Sequence, residues 1–372
     1  AFGDTVFTVA TPIMVGDLPV GAIAMASSTT EIDRLVSVER ERVLRMFIVA
    51  LFVSVGLSLL LASTIANPLS DLAAAAEIGY LEPDAPSFKP VRLAFVLPEG
   101  TNAFVQELAS HVCEQAPLLE QVTAGITFSP GLAPGDLAER IRTLSANVDG
   151  IAIVAIDHPI VREAVREALA AGCAVVTLGS DIRMVDHQGY VGIDDMQAGR
   201  LAGYLIGRLG PAGPGKRIRE IAFFAGSLSY RSHQEREMGF RQILKEAFSD
   251  ITVVAQAEMQ DDRTMADRKM ADILRQHPAL CAVYNAGGGT AGIAAALERI
   301  GRAEDITVIA HDLTDANKSR LLRGTLDAVI DQNARLAIRE ALTTLVHAVR
   351  KTPYRMVPPS IQTIFRENLP NI

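Results

Sequence analysis

The sequence predicts an α/β protein with two doubly wound parallel sheets in two lobes, preceded by one transmembrane helix. Three observations carry this prediction. Hydrophobic residues make up 49% of the 372 residues but aromatic residues only 5%, so the apolar content is mostly Ala, Val, Leu and Ile, as in buried parallel sheets. Apolar runs and amphipathic segments alternate from residue 91 onward. Residues 46–66 form a single uncharged apolar stretch.

Composition excludes several classes of protein. Lys and Arg number 35 against 43 Asp and Glu, and a net charge of −8 disfavours binding of polyanions over the whole surface. The mean hydropathy of +0.23 excludes a disordered chain. Three widely spaced cysteines, with no Cys-x-x-Cys, indicate neither a disulfide framework nor a zinc ribbon.

The N-terminal part reads as a β-hairpin followed by a membrane helix. Apolar β-type runs at residues 5–14 and 20–27 flank a Gly-Asp-Leu-Pro turn, and residues 31–45 form a charged helical segment. Residues 46–66 carry no charge, and a helix of this length spans about 30 Å, the thickness of a bilayer's hydrocarbon core. We therefore assign residues 46–66 to a transmembrane helix.

Residues 1–77 resemble the membrane region of a sensor histidine kinase. After the apolar stretch, residues 65–72 read Ile-Ala-Asn-Pro-Leu-Ser-Asp-Leu, which is how the linker called HAMP begins. No second HAMP helix, phospho-acceptor histidine motif or ATP-binding domain follows, so kinase activity is not implied. The resemblance makes residues 1–45 the remnant of an extracytoplasmic sensor domain and 67–90 a HAMP-like start and linker, with a junction near 73–77.

The orientation in the membrane has two competing indications. Four arginines precede the apolar stretch (Arg34, Arg40, Arg42 and Arg45), and no Lys or Arg follows it before Lys89. The positive-inside rule places the N-terminus in the cytoplasm, whereas the kinase resemblance places it outside. We expect a single-pass inner-membrane protein with a cytoplasmic binding domain, and a periplasmic binding domain is the alternative.

From residue 91 onward, strands and helices alternate, which indicates βαβ units. More than five such units favour two parallel sheets over one. Each predicted strand precedes a predicted helix, in this order: 91–97 and 102–115, 122–128 and 136–147, 150–156 and 160–171, 173–178 and 194–209, 218–224 and 236–248, 251–257 and 265–277, 280–284 and 290–300, 306–310 and 316–323, 326–330 and 335–349.

Short motifs in this part resemble the effector-binding domain of the lac-repressor (LacI/GalR-type) transcription regulators and the related type I periplasmic sugar-binding proteins. They stand at Arg92–Pro98, Val148–Ile151, Tyr190–Asp195, Arg236–Phe240 and Arg366–Pro370, the last resembling the C-terminal strand. The resemblance implies a two-lobed periplasmic-binding-protein-like type I fold over residues 91–372. Lobe 1 would take about 91–193 and 333–352, and lobe 2 about 194–332 and 353–372. It also implies a homodimer, and DNA binding is not expected because the helix-turn-helix headpiece is absent.

Candidate ligand-binding residues are the polar groups that follow predicted strands, because ligands of such folds bind outside the carboxyl ends of strands. A sugar requires short polar side chains together with an apolar face. These positions hold Asn102, Phe104, Asp157, His158, Ser180, Asp181, Arg231, Gln234, Asn285, Asp312 and Gln332. Any one of them could instead be a helix cap or turn residue, and for Asp312 and Gln332 the resemblance favours ligand contact. The related family often has Arg at the position of Gln234, and Arg231 could compensate for its absence.

Two further site types were weighed. The loop from Gly287 to Gly292 fits Gly-x-Gly-x-x-Gly, and Asp312 lies 20 residues after it, which is formally a dinucleotide fingerprint. The loop falls in a late βαβ unit, whereas the fingerprint normally stands in the first. No His-x-x-x-His or Gly-x-Ser-x-Gly pattern occurs, so neither a metal site nor a hydrolase nucleophile is indicated.

We therefore expect a non-enzymatic receptor for a sugar-like or polyol-like small molecule, with no cofactor and no metal, held at the inner membrane by residues 46–66. The main interpretation is ligand sensing by a LacI-type domain, with transcription regulation implied by resemblance alone. The alternatives are a membrane-anchored substrate-binding component of an ABC sugar transporter and a nucleotide-dependent enzyme using the Gly287–Gly292 loop.

Overall fold

The computed structural model describes residues 6–28, 40, 43–54, 89–100, 102–130, 132–210 and 219–370. The chain divides into two compact units, Ala1–Ser87 and Phe88–Ile372. In the first unit, β1 (Val6–Val15) and β2 (Leu18–Ser28) form an antiparallel hairpin. Its turn uses Gly16 at φ +66°, a conformation that glycine adopts without the steric cost other residues carry.

The predicted membrane helix is only partly within the described residues. Residues 43–54 are helical (α1) and expose large apolar side chains, among them Phe47 and Phe52, whereas residues 55–66 lie outside the described ranges. In the part of the chain that the structure describes, no helix combines the length and the apolar character needed to cross a membrane. The transmembrane helix over 46–66 stays a prediction, because residues 55–66 were not among those in which a spanning helix could be found. The predicted HAMP-like start and the junction near 73–77 lie outside the described residues.

Lobe 1 of the second unit is built on a five-stranded parallel sheet with strand order β4-β3-β5-β6-β7. Its elements are β3 (Val91–Pro98), α2 (Ala103–Gln115), β4 (Val122–Ser129), α3 (Pro134–Ser145), β5 (Gly150–Ile153), α4 (Pro159–Ala170), β6 (Ala174–Leu178) and β7 (Gly189–Val191). Both faces of the sheet are covered, so the inner strands β3, β5 and β6 are nearly continuous buried apolar runs, whereas the edge strand β4 alternates in burial.

Lobe 2 is built on a six-stranded sheet with strand order β13-β12-β11-β10-β8-β9, in which only β13 runs antiparallel to its neighbour. Its elements are α5 (Asp195–Leu209), β8 (Arg219–Ala225), α6 (Arg231–Ala247), β9 (Ile251–Glu258), α7 (Arg263–Gln276), β10 (Leu280–Asn285), α8 (Thr290–Ile300), β11 (Thr307–His311), α9 (Asp315–Arg323), β12 (Ala328–Asp331) and β13 (Gln362–Ile364). Apolar clusters cover both faces of this sheet as well. The predicted α/β class with two parallel sheets is confirmed.

The chain passes between the two sheets three times. It leaves lobe 1 after β7, returns after β12 as α10 (Ala334–Arg350), and leaves again to add β13 to lobe 2. Helix α10 packs Ile338 and Leu342 into the lobe 1 core beside Phe95. Any relative motion of the lobes would therefore bend the chain at these three connections.

The C-terminal strand lies earlier than predicted. The sequence motif at Arg366–Pro370 was expected to be a strand, but residues Arg366–Asn368 form a 3-10 turn and the strand is Gln362–Ile364. The Asn368 side chain explains the turn: its Oδ1 accepts from the Phe365 amide at 2.6 Å and its Nδ2 donates to the Thr363 carbonyl at 3.1 Å. These bonds reverse the chain directly after the strand.

Helices α5 and α6 approach each other closely through glycines. A Cβ at Gly199 would collide with the Arg236 carbonyl, and a Cβ at Gly239 would collide with the Met196 carbonyl. This close contact fixes the axial position of α6, which carries the buried side chain of Arg236 into the cleft.

Candidate functional site

The cleft between the lobes contains a small inner cavity of about 50 Å³. The carboxyl ends of strands from both sheets point to it, as expected for a doubly wound fold. Lobe 1 contributes Asn102, Phe104 and Ser180, and lobe 2 contributes polar groups on α6 and after β9, β11 and β12. The remaining lining side chains are mostly apolar, so the cavity combines an apolar surface with a few convergent polar groups.

Arg236 is the hub of the polar side of the cavity. Only 3% of its side chain is exposed, and its Nε donates to Asp195 Oδ1 at 2.8 Å. Its Nη1 donates to the Ala286 carbonyl at 2.8 Å and its Nη2 to Gln332 Oε1 at 2.7 Å. Burial has the largest effect and opposes the charge of the guanidinium, but Asp195 and the other acidic groups around it together raise the pKa of Arg236. Arg236 therefore stays charged and holds three elements of lobe 2 together at the cleft.

Gln332 links Arg236 to Asp312 through hydrogen bonds of its side-chain amide. Its Nε2 donates to Asp312 Oδ1 at 2.6 Å, so the amide lies between the guanidinium and the carboxyl. Burial raises the pKa of Asp312 to about 7, against the opposing effect of the Arg236 charge. Asp312 also has φ +69°, a left-handed conformation that is uncommon outside glycine and that concentrates at ligand sites.

Ser180 places an unpartnered hydroxyl on the lobe 1 side of the cavity. The residue is 1% exposed, and its Oγ has no hydrogen-bond partner among the described residues. A buried hydroxyl without a partner costs about 1–3 kcal/mol. A ligand that hydrogen-bonds to Ser180 Oγ would remove this cost.

A hydrogen bond between Asn102 and Asp261 crosses the cleft directly. Asn102 Nδ2 donates to Asp261 Oδ2 at 3.0 Å, while Asn102 Oδ1 accepts from the Phe104 amide and caps α2. Asp261 follows β9 at φ +55°, and its Oδ1 accepts from the Gly288 amide at 2.7 Å. A Cβ at Gly226 or Gly288 would meet the Asp261 carboxylate, so both positions must be glycine for it to fit.

A second, larger space adjoins the inner cavity. This outer chamber has a volume of about 500 Å³ and lies next to the inner cavity, with which it shares Asn102, Phe104, Asp261 and Asp312. The side chains that border only the outer chamber come mostly from the starts of α7, α8 and α9, with Ala103, His311 and Arg320 in addition.

Five of the predicted site residues line the inner cavity: Asn102, Phe104, Ser180, Asp312 and Gln332. Their contact with a ligand remains a prediction.

Two other predicted residues, Asp181 and Arg231, flank the cavity as an ion pair that joins the lobes, Arg231 Nη1 to Asp181 Oδ2 at 3.1 Å. Asp181 also accepts from Thr177, and Arg231 is also paired with Glu235. Because both side chains are committed to protein partners, they act on the lobe contact rather than line the cavity.

The other four predicted residues do not line the cavity, each for a local reason. Asp157 accepts from Arg162 at 2.6 Å, and His158 caps α4 through its Nδ1. Gln234 is exposed and donates to the Leu228 carbonyl. Asn285 is fully buried beneath the glycine loop, where its Nδ2 donates to the Gly288 carbonyl and to Thr290. Asn285 therefore shapes the loop that borders the cleft.

Sequence reasoning missed Tyr230, His233, Arg236 and Asp261 as lining residues. Asp261 could have been found, because it follows β9 just as Asp312 follows β11. Arg236 stood in a recognised motif but was not placed in the cleft. Tyr230 packs among the lobe 1 core residues from its position at the start of α6, a contact that only the tertiary structure reveals.

The glycines of the Gly287–Gly292 loop are accounted for by packing within the protein rather than by a dinucleotide site. Its glycines serve packing: a Cβ at Gly292 would collide with the Arg263 carbonyl, and Gly289 begins α8 at φ +74°. Among the described residues, no group of three His, Cys, Asp or Glu side chains is placed to hold a metal ion.

Comparison with known proteins assigns the second unit. A sequence profile described as the periplasmic binding protein domain matches residues 93–353. The ribose import binding protein RbsB of Salmonella typhimurium is 30% identical over 177 residues, which is 47% of this chain and 57% of that protein. The chain thus spans little more than half the length of this relative. A solute binding protein of Burkholderia graminis, solved in complex with D-arabinose, superposes with a TM-score of 0.69 at 20% identity, over 75% of this chain and 96% of that one.

A separate match concerns a shorter stretch. The sensor protein ChvG of Rhizobium meliloti is 43% identical over 74 residues, 20% of this chain and 13% of that protein. This match is too short to assign the activity of a sensor protein to the chain.

These matches support the resemblance to periplasmic sugar-binding proteins. They do not show the resemblance to lac-repressor-type transcription regulators. The profile covers most of the chain, and the fold agrees with it in the two lobes and parallel sheets. The chain belongs to the periplasmic binding protein domain family.

Proposed function

We propose that the chain is a receptor for a small sugar or polyol, which it binds in the cleft between its two lobes. The observation that carries this proposal is the inner cavity. It is lined by Ser180, whose buried hydroxyl has no hydrogen-bond partner among the described residues, and by Asp312. Hydroxyl and carboxyl groups form the paired hydrogen bonds that sugar hydroxyls require. Phe104 and Tyr230 supply the apolar surface for the face of a sugar ring.

The role that these observations favour is substrate binding for sugar import. The match to ribose import binding proteins supports this role over transcription regulation, which was the main expectation from the sequence. A specific observation favours a second candidate, ligand sensing coupled to a membrane sensor: the 74-residue match to sensor protein ChvG. Both roles use the same cleft. They differ in the partner that the ligand-bound protein contacts, a transporter for import and a membrane sensor for sensing.

The test is isothermal titration calorimetry of the full chain with a panel of pentoses, hexoses and polyols. We expect saturable binding of at least one of them, and the Ser180→Ala variant should bind the same ligand about 3- to 10-fold more weakly, the usual loss for a neutral hydrogen bond. Arg92→Gln, a surface change at the start of β3, is the control and should leave affinity unchanged. Absence of binding by every member of the panel at millimolar concentration would contradict the proposal.

The side of the membrane on which the second unit lies tests the import role. Alkaline phosphatase fused after Ile372 is active only outside the cytoplasm. An inactive fusion with an active cytoplasmic reporter in its place would contradict import and support sensing, whereas an active fusion would support import and contradict a cytoplasmic sensor.

A further inference from the structure

Two arginines border the outer chamber beside its carboxylates. Arg263, at the start of α7, and Arg320, on α9, both border it, and neither borders the inner cavity. Arg263 is exposed and Arg320 is half-buried. Two guanidinium groups at one end of a ligand cleft form a site for an anionic group, because they offer charged donors to its oxygens.

Neither of these arginines forms an ion pair with a carboxylate within the described ranges. The Nη1 of Arg320 donates to the Ala316 carbonyl of its own helix. Burial lowers the pKa of Arg320, and the charges of Arg263 and Arg323 lower it further, against the opposing effect of Glu298. The positive charges at this corner therefore repel one another, and an anion between Arg263 and Arg320 would relieve the repulsion.

The carboxylates that border the chamber are committed to protein donors. Both oxygens of Asp261 accept hydrogen bonds, from Asn102 and from the Gly288 amide. Asp262 caps α7 by accepting from the Met265 amide at 2.6 Å. Asp261 and Asp312 also border the inner cavity, which Arg236 lines as well. The charged residues that border only the outer chamber are Asp262, Arg263 and Arg320, so the arginines there outnumber the carboxylate.

The two spaces together fit a ligand with two different ends. The inner cavity of about 50 Å³ holds only three or four waters, whereas a pentose has about ten non-hydrogen atoms and must extend into the outer chamber. The unpartnered Ser180 hydroxyl indicates a neutral hydroxylated group at the inner end. The starts of α7, α8 and α9 add partial positive charge at the outer end, in the same sense as the two arginines.

We propose that the cleft binds an anionic sugar, with its phosphate or carboxylate held by Arg263 and Arg320. This inference rests on the proposed function and names the class of sugar. The ring hydroxyls lie against Ser180 and Asp312, and the anionic substituent occupies the outer chamber.

The experiment titrates the full chain with each neutral sugar beside its charged counterparts, for example D-ribose with D-ribose 5-phosphate and D-glucose with D-glucuronate. At low salt, at least one charged member should bind ten or more times tighter than its neutral parent. Arg320→Gln and Arg263→Gln should each weaken binding of the charged ligand about tenfold or more and leave the neutral parent unchanged. Arg275→Gln, at the opposite end of α7 from Arg263 and outside the chamber lining, is the matched control and should change affinity less than twofold. The phosphate and carboxylate pairs identify which anion is preferred.

The outcomes separate the two proposals. Equal or tighter binding of the neutral parents would overturn the anionic assignment and leave sugar binding in place. Inorganic phosphate bound as tightly as the sugar phosphate would also overturn it, since the ring would then contribute nothing. Failure of every neutral and charged sugar to bind would overturn the proposed function itself. Raising the salt concentration from 50 to 500 mM provides an independent readout: it should weaken only the charged ligands, because screening acts on the arginine contacts.

Discussion

Replacing Arg236 by Met tests whether the buried hub holds lobe 2 together. The change leaves the Asp195 carboxylate, also 3% exposed, with one remaining side-chain partner, the Tyr190 hydroxyl at 2.9 Å. Breaking a buried ion pair costs about 3–5 kcal/mol, because one charge stays buried and uncompensated. The Ala286 carbonyl and Gln332 Oε1 also lose a donor, but such losses do not add fully. We expect the free energy of unfolding to fall by about 4 kcal/mol, from the total of about 5–15 kcal/mol that is typical of a folded domain.

The assay is urea unfolding followed by far-ultraviolet circular dichroism, with the denaturation midpoint compared at constant m-value. Arg241→Met is the matched control on the same helix, because Arg241 forms an exposed pair with Glu237 and should contribute less than about 1 kcal/mol. The double variant Arg236→Met, Asp195→Asn should recover part of the loss, since it removes the stranded charge. A loss below about 1 kcal/mol for Arg236→Met, or a double variant no more stable than Arg236→Met alone, would refute the role of the hub.

Three further predictions follow from the same geometry. Ser180→Ala should leave the melting temperature unchanged or raise it, because it removes a buried hydroxyl without a partner, and a lowered value in calorimetry would contradict this. Asp312→Asn should gain stability over the wild type as pH rises from about 4 to 7. In this range the raised pKa of Asp312, about 7, keeps the folded carboxyl protonated while the unfolded chain releases the proton, so the wild type loses stability, and a pH-independent difference in urea unfolding would contradict this. Gly199→Ala should cost about 1–3 kcal/mol through its collision with the Arg236 carbonyl, whereas Gly135→Ala, in open space within a helix, should be neutral or stabilising in the same unfolding assay.

The sheets were predictable because local signals and tertiary structure agree there. The apolar run from Val91 to Leu97 is buried on both faces, and nothing but a central parallel strand accommodates it. The short strand β7 was not predicted, and β13 was predicted a few residues too late. Three residues do not form a periodic pattern, and the pairing partners of both strands lie elsewhere in the chain.

The site was predictable only where a strand end is also a cavity wall. Ser180, Asp312 and Gln332 meet both conditions. Asp157 meets only the first, because α4 starts directly after it and its carboxylate turns to Arg162. Arg236 could not be placed from sequence, since its partner Asp195 lies 41 residues away and a helical arginine without that partner is ordinarily solvated.

The amide of Asn102 has a consequence for how the lobes can be followed in solution. One side of it fixes the start of α2 and the other reaches Asp261 on the opposite lobe. Each separation of the lobes must therefore free the Nδ2 hydrogens while the helix cap stays in place. In an NMR spectrum the resonances of the Asn102 side-chain amide would therefore report opening of the lobes. The hydrogen-exchange rate of this amide would give the frequency of opening without any attached label.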